Sequence, residues 1–169
     1  PAASFGAVLA AVAVLAGCVA GPGATGARGA DPRERMLVAE TALDRGQYPL
    51  AVEEYRLAAA ATGDARLAER AARVAFDHRQ DAALARVARE WLAREPGSEV
   101  ARRFLAVAAL KLDRVDEAEA EFARLLADAY ASPAEGFGAL VQSLADLDAD
   151  TASARVMARL AARPPQVPE

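Results

Sequence analysis

The chain has 169 residues, the size of one ordinary domain. Hydrophobic residues make up 54% but aromatic residues only 5%, so the apolar content is small and aliphatic, with alanine dominant. A net charge of −4, with arginine and carboxylates interspersed and Lys111 the only lysine, excludes the basic stripe of a general nucleic-acid binder.

Residues 5–17, FGAVLAAVAVLAG, are uncharged and almost wholly apolar. Thirteen residues are too few to span a bilayer as a helix, which takes roughly 20, but they suit the apolar core of a secretory signal. The chain opens at Pro1 with no basic stretch before this run, so the expectation is an N-terminus trimmed from a longer precursor. The run ends in Leu15-Ala16-Gly17-Cys18, which resembles the lipobox of bacterial lipoproteins at every position. The resemblance implies a diacylglycerol on the Cys18 thiol, cleavage before Cys18, and acylation of the new amine. Each buried methylene would then contribute about 0.8 kcal/mol to membrane attachment. Val19 stands where lipoproteins kept at the inner membrane often carry aspartate, so the resemblance implies the periplasmic face of the outer membrane. The competing assignment is a free cysteine buried in an apolar helix, since free cysteine is among the most buried residue types.

After this 1–18 signal segment, residues 19–32 are rich in Gly, Ala and Pro without periodicity, as in a flexible linker. Within it, Gly21-Pro22-Gly23-Ala24-Thr25-Gly26 satisfies GxGxxG. That fingerprint works only between a strand and a helix, whereas here a signal segment precedes it and nothing strand-like is nearby, so no nucleotide cofactor is expected.

From Arg33 to Arg163 the patterning is helical, with no convincing alternating strand. The first pair of helices is expected at 33–45 and 49–61, with a break at Gly46, and closes at Gly63-Asp64. The second pair occupies 65–78 and 82–94 and ends at Glu95-Pro96-Gly97. Ser98 or Glu99 opens the third, at 99–112 and 116–129. Ser132 before Pro133 is a favoured helix start. That fourth pair runs to about Leu147 and then over 151–163, with a Pro-rich tail at 164–169.

The period is the decisive signal. Ala51, Ala85, Ala118 and Ala152 are separated by 34, 33 and 34 residues, and Tyr48, Ala82, Val115 and Ala149 repeat that spacing. A small residue is needed early in each second helix, where the two helices of a hairpin cross closest. Tyr55 and Phe122 are expected to face the core one turn later, and Trp91-Leu92 and Leu125-Leu126 to fill the gap to the next pair. Ala39…Gly46-x-Tyr48-x-x-Ala51-x-x-x-Tyr55-x-x-Ala58, and less closely Leu105-Ala106…Val115-x-x-Ala118-x-x-x-Phe122, resemble tetratricopeptide repeats. The resemblance implies an all-α solenoid of about four antiparallel helix pairs over residues 33–163. Two departures stand out. Arg79-Gln80-Asp81 replaces the turn glycine, with one extra residue expected, and Gly136 and Gly138 interrupt the fourth pair's first helix. These two glycines are read as points of close helix approach.

Nothing in the sequence assembles a catalytic set. Cys18 is claimed by lipid, no nucleophile elbow is present, and Lys111 stands alone. His78, the one histidine, lies near a helix end, where a protonated ring would interact well with the helix dipole. It cannot build a zinc site without cysteine or carboxylate help. The carboxylates at Glu53-Glu54 and at 116–121 read as solvated faces, with Glu121 and Arg124 placed to pair. No catalysis, cofactor, metal or nucleic-acid partner is therefore expected.

The resemblance implies instead a groove, lined by the first helix of each pair, that holds a protein or peptide partner. Helical spacing nominates Met36 and Glu40, then Glu69 and Arg73, then Arg103, Val107 and Lys111. The expected function is a lipid-anchored scaffold or adaptor in the bacterial envelope. One alternative is the N-terminal portion of a longer polysaccharide-export or secretion protein whose specific activity lies downstream. This is motivated by the lack of an obvious capping helix before Pro164-Pro165, and the gene sequence beyond Glu169 decides it. Another is a helical module for a small ligand or glycan.

Overall fold

A computed structural model of the chain describes residues 31–129, 136, 138, 140 and 150–162. Cys18, the linker and the tail lie outside these residues, as does most of the helix expected between Pro133 and Leu147. The described residues form helices and turns, with no strand among them: α1 (Pro32–Asp44), α2 (Tyr48–Thr62), α3 (Ala65–Asp77), α4 (Asp81–Arg94), α5 (Glu99–Lys111), α6 (Val115–Ala129) and α7 (Asp150–Ala161). The fold class is all-α, as the periodicity indicates.

The helices end where the local chemistry changes. Asp31, Asp64 and Ser98 each accept a hydrogen bond from a backbone N–H in the first turn of α1, α3 and α5. These caps are spaced 33 and 34 residues apart, so the repeat is written in the capping residues as well as in the core. The turns leaving α1, α3 and α5 share one geometry. The N–H groups of Gln47, Gln80 and Arg114 donate back to the carbonyls of Ala42, Ala75 and Ala109, each at 2.8 Å. The preceding residues Gly46, Arg79 and Asp113 donate to Leu43, Phe76 and Leu110. This double closure satisfies the last carbonyls of a helix and needs a left-handed residue. Gly46 has φ 69°, but Arg79 (55°) and Asp113 (56°) adopt the same conformation with a Cβ. The second hairpin therefore carries neither a glycine nor an extra residue at this turn. The expected irregularity is corrected by identical turns, and α4 begins at Asp81 rather than Ala82.

Each helix packs mainly on its neighbours in the chain, with added contacts between α2 and α4, between α3 and α5, and between α5 and α7. Alanine supplies most of the close approaches: Ala51, Ala85, Ala118 and Ala152 are all buried, as the hairpin crossing requires. Larger side chains fill the remaining space, and Tyr55, Phe122, Leu84 and Leu110 are fully enclosed. Trp91 of α4 sits with Ala59, Ala68 and Ala101, so it joins three successive hairpins, and its indole N–H donates to Glu95 at 2.9 Å.

Two expectations about polar and small residues are corrected. Gly138 is exposed, and a Cβ there would meet nothing within 4 Å, so it is not a point of close approach, whereas Gly136 is buried. Glu121 is not on a solvated face: it is 7% exposed and held between Arg102 (3.1 Å) and Arg124 (2.6 Å). Burying a carboxylate is costly unless it is paired, and here two guanidinium groups supply the pairing.

Candidate partner-binding groove

A groove of about 410 Å³ lies against α3 and α5, the first helices of the second and third hairpins, and is also lined by α6 and Leu140. Its described floor is apolar. Val107 from α5, Phe122 and Leu125 from α6, and Leu140 are buried there, with Phe76, Phe104 and Leu126 half-buried beside them. Phe76 and Phe104 meet edge-tilted, with centroids 6.2 Å apart at 58°, an arrangement favoured by the ring quadrupoles. The rim carries Glu69, Arg73 and Asp77 on α3, and Val100 and Arg103 on α5.

Seven groove residues were nominated from sequence, and the structure separates them. Glu69, Arg73, Arg103 and Val107 come together around this groove. Val107 belongs to its floor rather than its surface, being 8% exposed. Lys111 stands next to it, with Nζ 4.9 Å from the centre of the Phe76 ring, a cation–π geometry. Met36 and Glu40 are on α1, outside the groove lining. Met36 is exposed, and Glu40 pairs at 3.6 Å with Arg70 on α3. Glu69 and Arg73 bond each other at 2.6 Å, one turn apart on α3.

Sequence reasoning missed the aromatic floor. A usable signal was present, because the chain has five phenylalanines and three of them, Phe76, Phe104 and Phe122, line this groove. In an alanine-rich helical array, a phenylalanine on a first helix marks a place where backbones do not approach closely.

A shallower depression lies between α4, α5 and α6 and is lined by Arg89, Arg102, Glu117, Glu121 and Arg124 among others. Its charges satisfy one another: Arg89 bonds Glu117 at 3.0 Å, and Arg102 and Arg124 share Glu121. His78 lies in neither place. It caps α3, and its ring stacks on Tyr48 with centroids 3.4 Å apart and planes 7° from parallel. Among the described residues, no three His, Cys, Asp or Glu side chains stand together as metal ligands, and no helix is long and apolar enough to cross a membrane.

Compared with known proteins, the chain matches no family model, no curated protein and no solved structure.

Proposed function

We propose that this protein is a lipid-anchored adaptor whose helix pairs form a tetratricopeptide-like solenoid and hold a partner protein of the bacterial envelope. The observation that carries the proposal is the groove between α3 and α5, where an apolar floor is rimmed by charges of both signs. A trough of that composition excludes water from a partner's apolar anchors, while the rim fixes their register. The repeated caps and turns support the solenoid, since each hairpin leans on its neighbours for its core. Attachment through Cys18 rests on the lipobox resemblance, and the linker after it would let the helical array reach beyond the membrane surface.

Two measurements test this. Radiolabelled palmitate should enter the wild-type protein in cells and be lost in Cys18→Ala, and unchanged labelling of that variant would remove the anchor. Crosslinking of the lipidated protein in intact envelopes, followed by purification, should recover a discrete protein partner. Recovery of uncrosslinked protein alone would remove the adaptor role.

A further inference from the structure

The spacing of the caps Asp31, Asp64 and Ser98 sets a register in which α1, α3 and α5 can be compared position by position. Val38 and Thr41 on α1 correspond to Ala71 and Val74 on α3, and to Leu105 and Ala108 on α5. α3 packs on α2 and α5 on α4, so each of these helices follows a hairpin that it leans on, and the four counterparts are buried. On α1 no described residue covers the same stripe. Val38 is 44% exposed and Leu37 beside it 70%. On α2, Leu50 is 43% exposed, whereas its counterpart Leu84 is fully buried. The first hairpin thus keeps an apolar face of the kind that the later hairpins bury, where a terminal repeat needs a polar one.

The ends of the stripe carry charge. Where α3 and α5 have Leu67 and Ala101, α1 has Glu34, and the other end of its stripe is Arg45. Both are exposed; Glu34 bonds no described residue, and Arg45 bonds only through its backbone N–H. Residues 34, 38, 41 and 45 are spaced by four, three and four, as along one seam of a helix. That spacing is symmetric about its midpoint. An identical helix running antiparallel against it sets Glu34 opposite Arg45 and Val38 opposite Thr41, each pairing occurring twice. Thr41 donates its hydroxyl to the Leu37 carbonyl at 2.8 Å, so its methyl group can be buried without stranding a donor.

We infer that the open face of the first hairpin is covered by the same face of a second copy of this chain, related by a two-fold axis across α1. A surface that meets itself must be self-complementary, and this one is in both apolar character and charge. Leu37, Val38, Thr41 and Leu50 supply the apolar centre, and Glu34 with Arg45 of the second copy supplies an ion pair on either side. Other occupants match less well. Residues 5–17 of the chain are uncharged, so they would leave Glu34 and Arg45 without counter-charges. A lipid surface would accept Leu37 and Val38 but would set Glu34 against anionic head groups. The contact uses no residue of the groove.

Sedimentation velocity of the full chain in detergent should show a concentration-dependent dimer. Val38→Asp, Glu34→Arg and Arg45→Glu should each raise its dissociation constant about tenfold or more, because a carboxylate then enters the apolar centre or like charges face each other. All three positions are exposed, and circular dichroism verifies that the variants fold. The double variant Glu34→Arg/Arg45→Glu should regain the dimer. An equimolar mixture of Glu34→Arg with Arg45→Glu should form a heterodimer, since one chain then presents two arginines and the other two glutamates. A wild-type chain that stays monomeric at every concentration overturns the inference, as does a dimer indifferent to these substitutions or charge exchanges that fail to restore association. So does a monomer whose α1 amide exchange slows on anionic vesicles, which assigns the face to lipid, or quickens in Leu9→Asp, which assigns it to residues 5–17.

Discussion

At the scale of single residues, the informative positions are those where a side chain sits against its own preference. Arg79 holds a left-handed backbone, which a Cβ makes unfavourable by roughly 1–2 kcal/mol, at a turn where the first hairpin uses Gly46. Arg79→Gly should be more stable than Arg79→Ala by about 0.5–1 kcal/mol in urea titration, since both lack the arginine side chain's interactions and only glycine relieves the left-handed backbone. Glu121 is the reverse case, a buried charge satisfied by its surroundings. Arg102 and Glu121 lie 19 residues apart across the third hairpin, as Arg35 and Glu54 do across the first, two periods earlier. At the corresponding places in the second hairpin stand Ala68 and Val87, both buried, so positions that hold an ion pair in two hairpins hold apolar residues in the other. Removing half of the pair is different from replacing both. Glu121→Ala leaves Arg102 largely enclosed without its carboxylate and should lower stability by about 2–3 kcal/mol, below the full cost of a completely buried pair.

Between elements, ion pairs tie the second helices to one another beside the buried contact of Trp91 on α4 with Ala59 on α2. Arg56 on α2 reaches Glu90 on α4 at 2.8 Å while also holding Glu53, and Arg86 on α4 returns to Glu53 at 2.8 Å. Arg89 continues the series to Glu117 on α6, and Arg155 and Arg159 on α7 reach Asp113, Asp116 and Glu119. The hydrogen bond from Arg56 is the largest influence on Glu53 and holds its carboxyl below the ordinary value of 4.5, outweighing the opposing effect of burial. Because the folded form binds this proton less tightly than the unfolded chain, the contribution is complete above about pH 4.5 and is lost as pH falls through the depressed folded value. The melting temperature of wild type should therefore approach that of Glu53→Gln as pH is lowered from 6 towards 3, and also as salt is raised at neutral pH. A gap between the two that stays constant with pH would contradict this role for Glu53.

At the scale of the whole molecule, stability depends on junctions between hairpins, because each hairpin is too small to enclose its own apolar side chains. Trp91 concentrates that dependence, packing against alanines contributed by α2, α3 and α5. Trp91→Ala should destabilise the chain by about 3–5 kcal/mol in denaturant titration. The loss should reach beyond α4, speeding hydrogen exchange in α2, α3 and α5 together. The groove belongs to the same scale. It lies where three phenylalanines, rather than alanines, stand on α3, α5 and α6, and their rings give it an apolar floor.

The sequence by itself determined the helices, their approximate ends and the repeat of about 34 residues. These follow from caps, turn residues and small side chains at fixed intervals, all of them local effects. The same logic placed Glu69, Arg73, Arg103 and Val107 on first helices, and there the neighbouring hairpins join them around one groove. Tertiary structure alone decided that Met36 and Glu40 fall outside that groove, that Glu121 is enclosed, and that His78 stacks on Tyr48. It also decided that Arg79 takes the conformation of a turn glycine. Each of these depends on how packed helices and the turns between them sit in three dimensions, and a period along the chain specifies which positions are equivalent without specifying how far apart the packed helices stand.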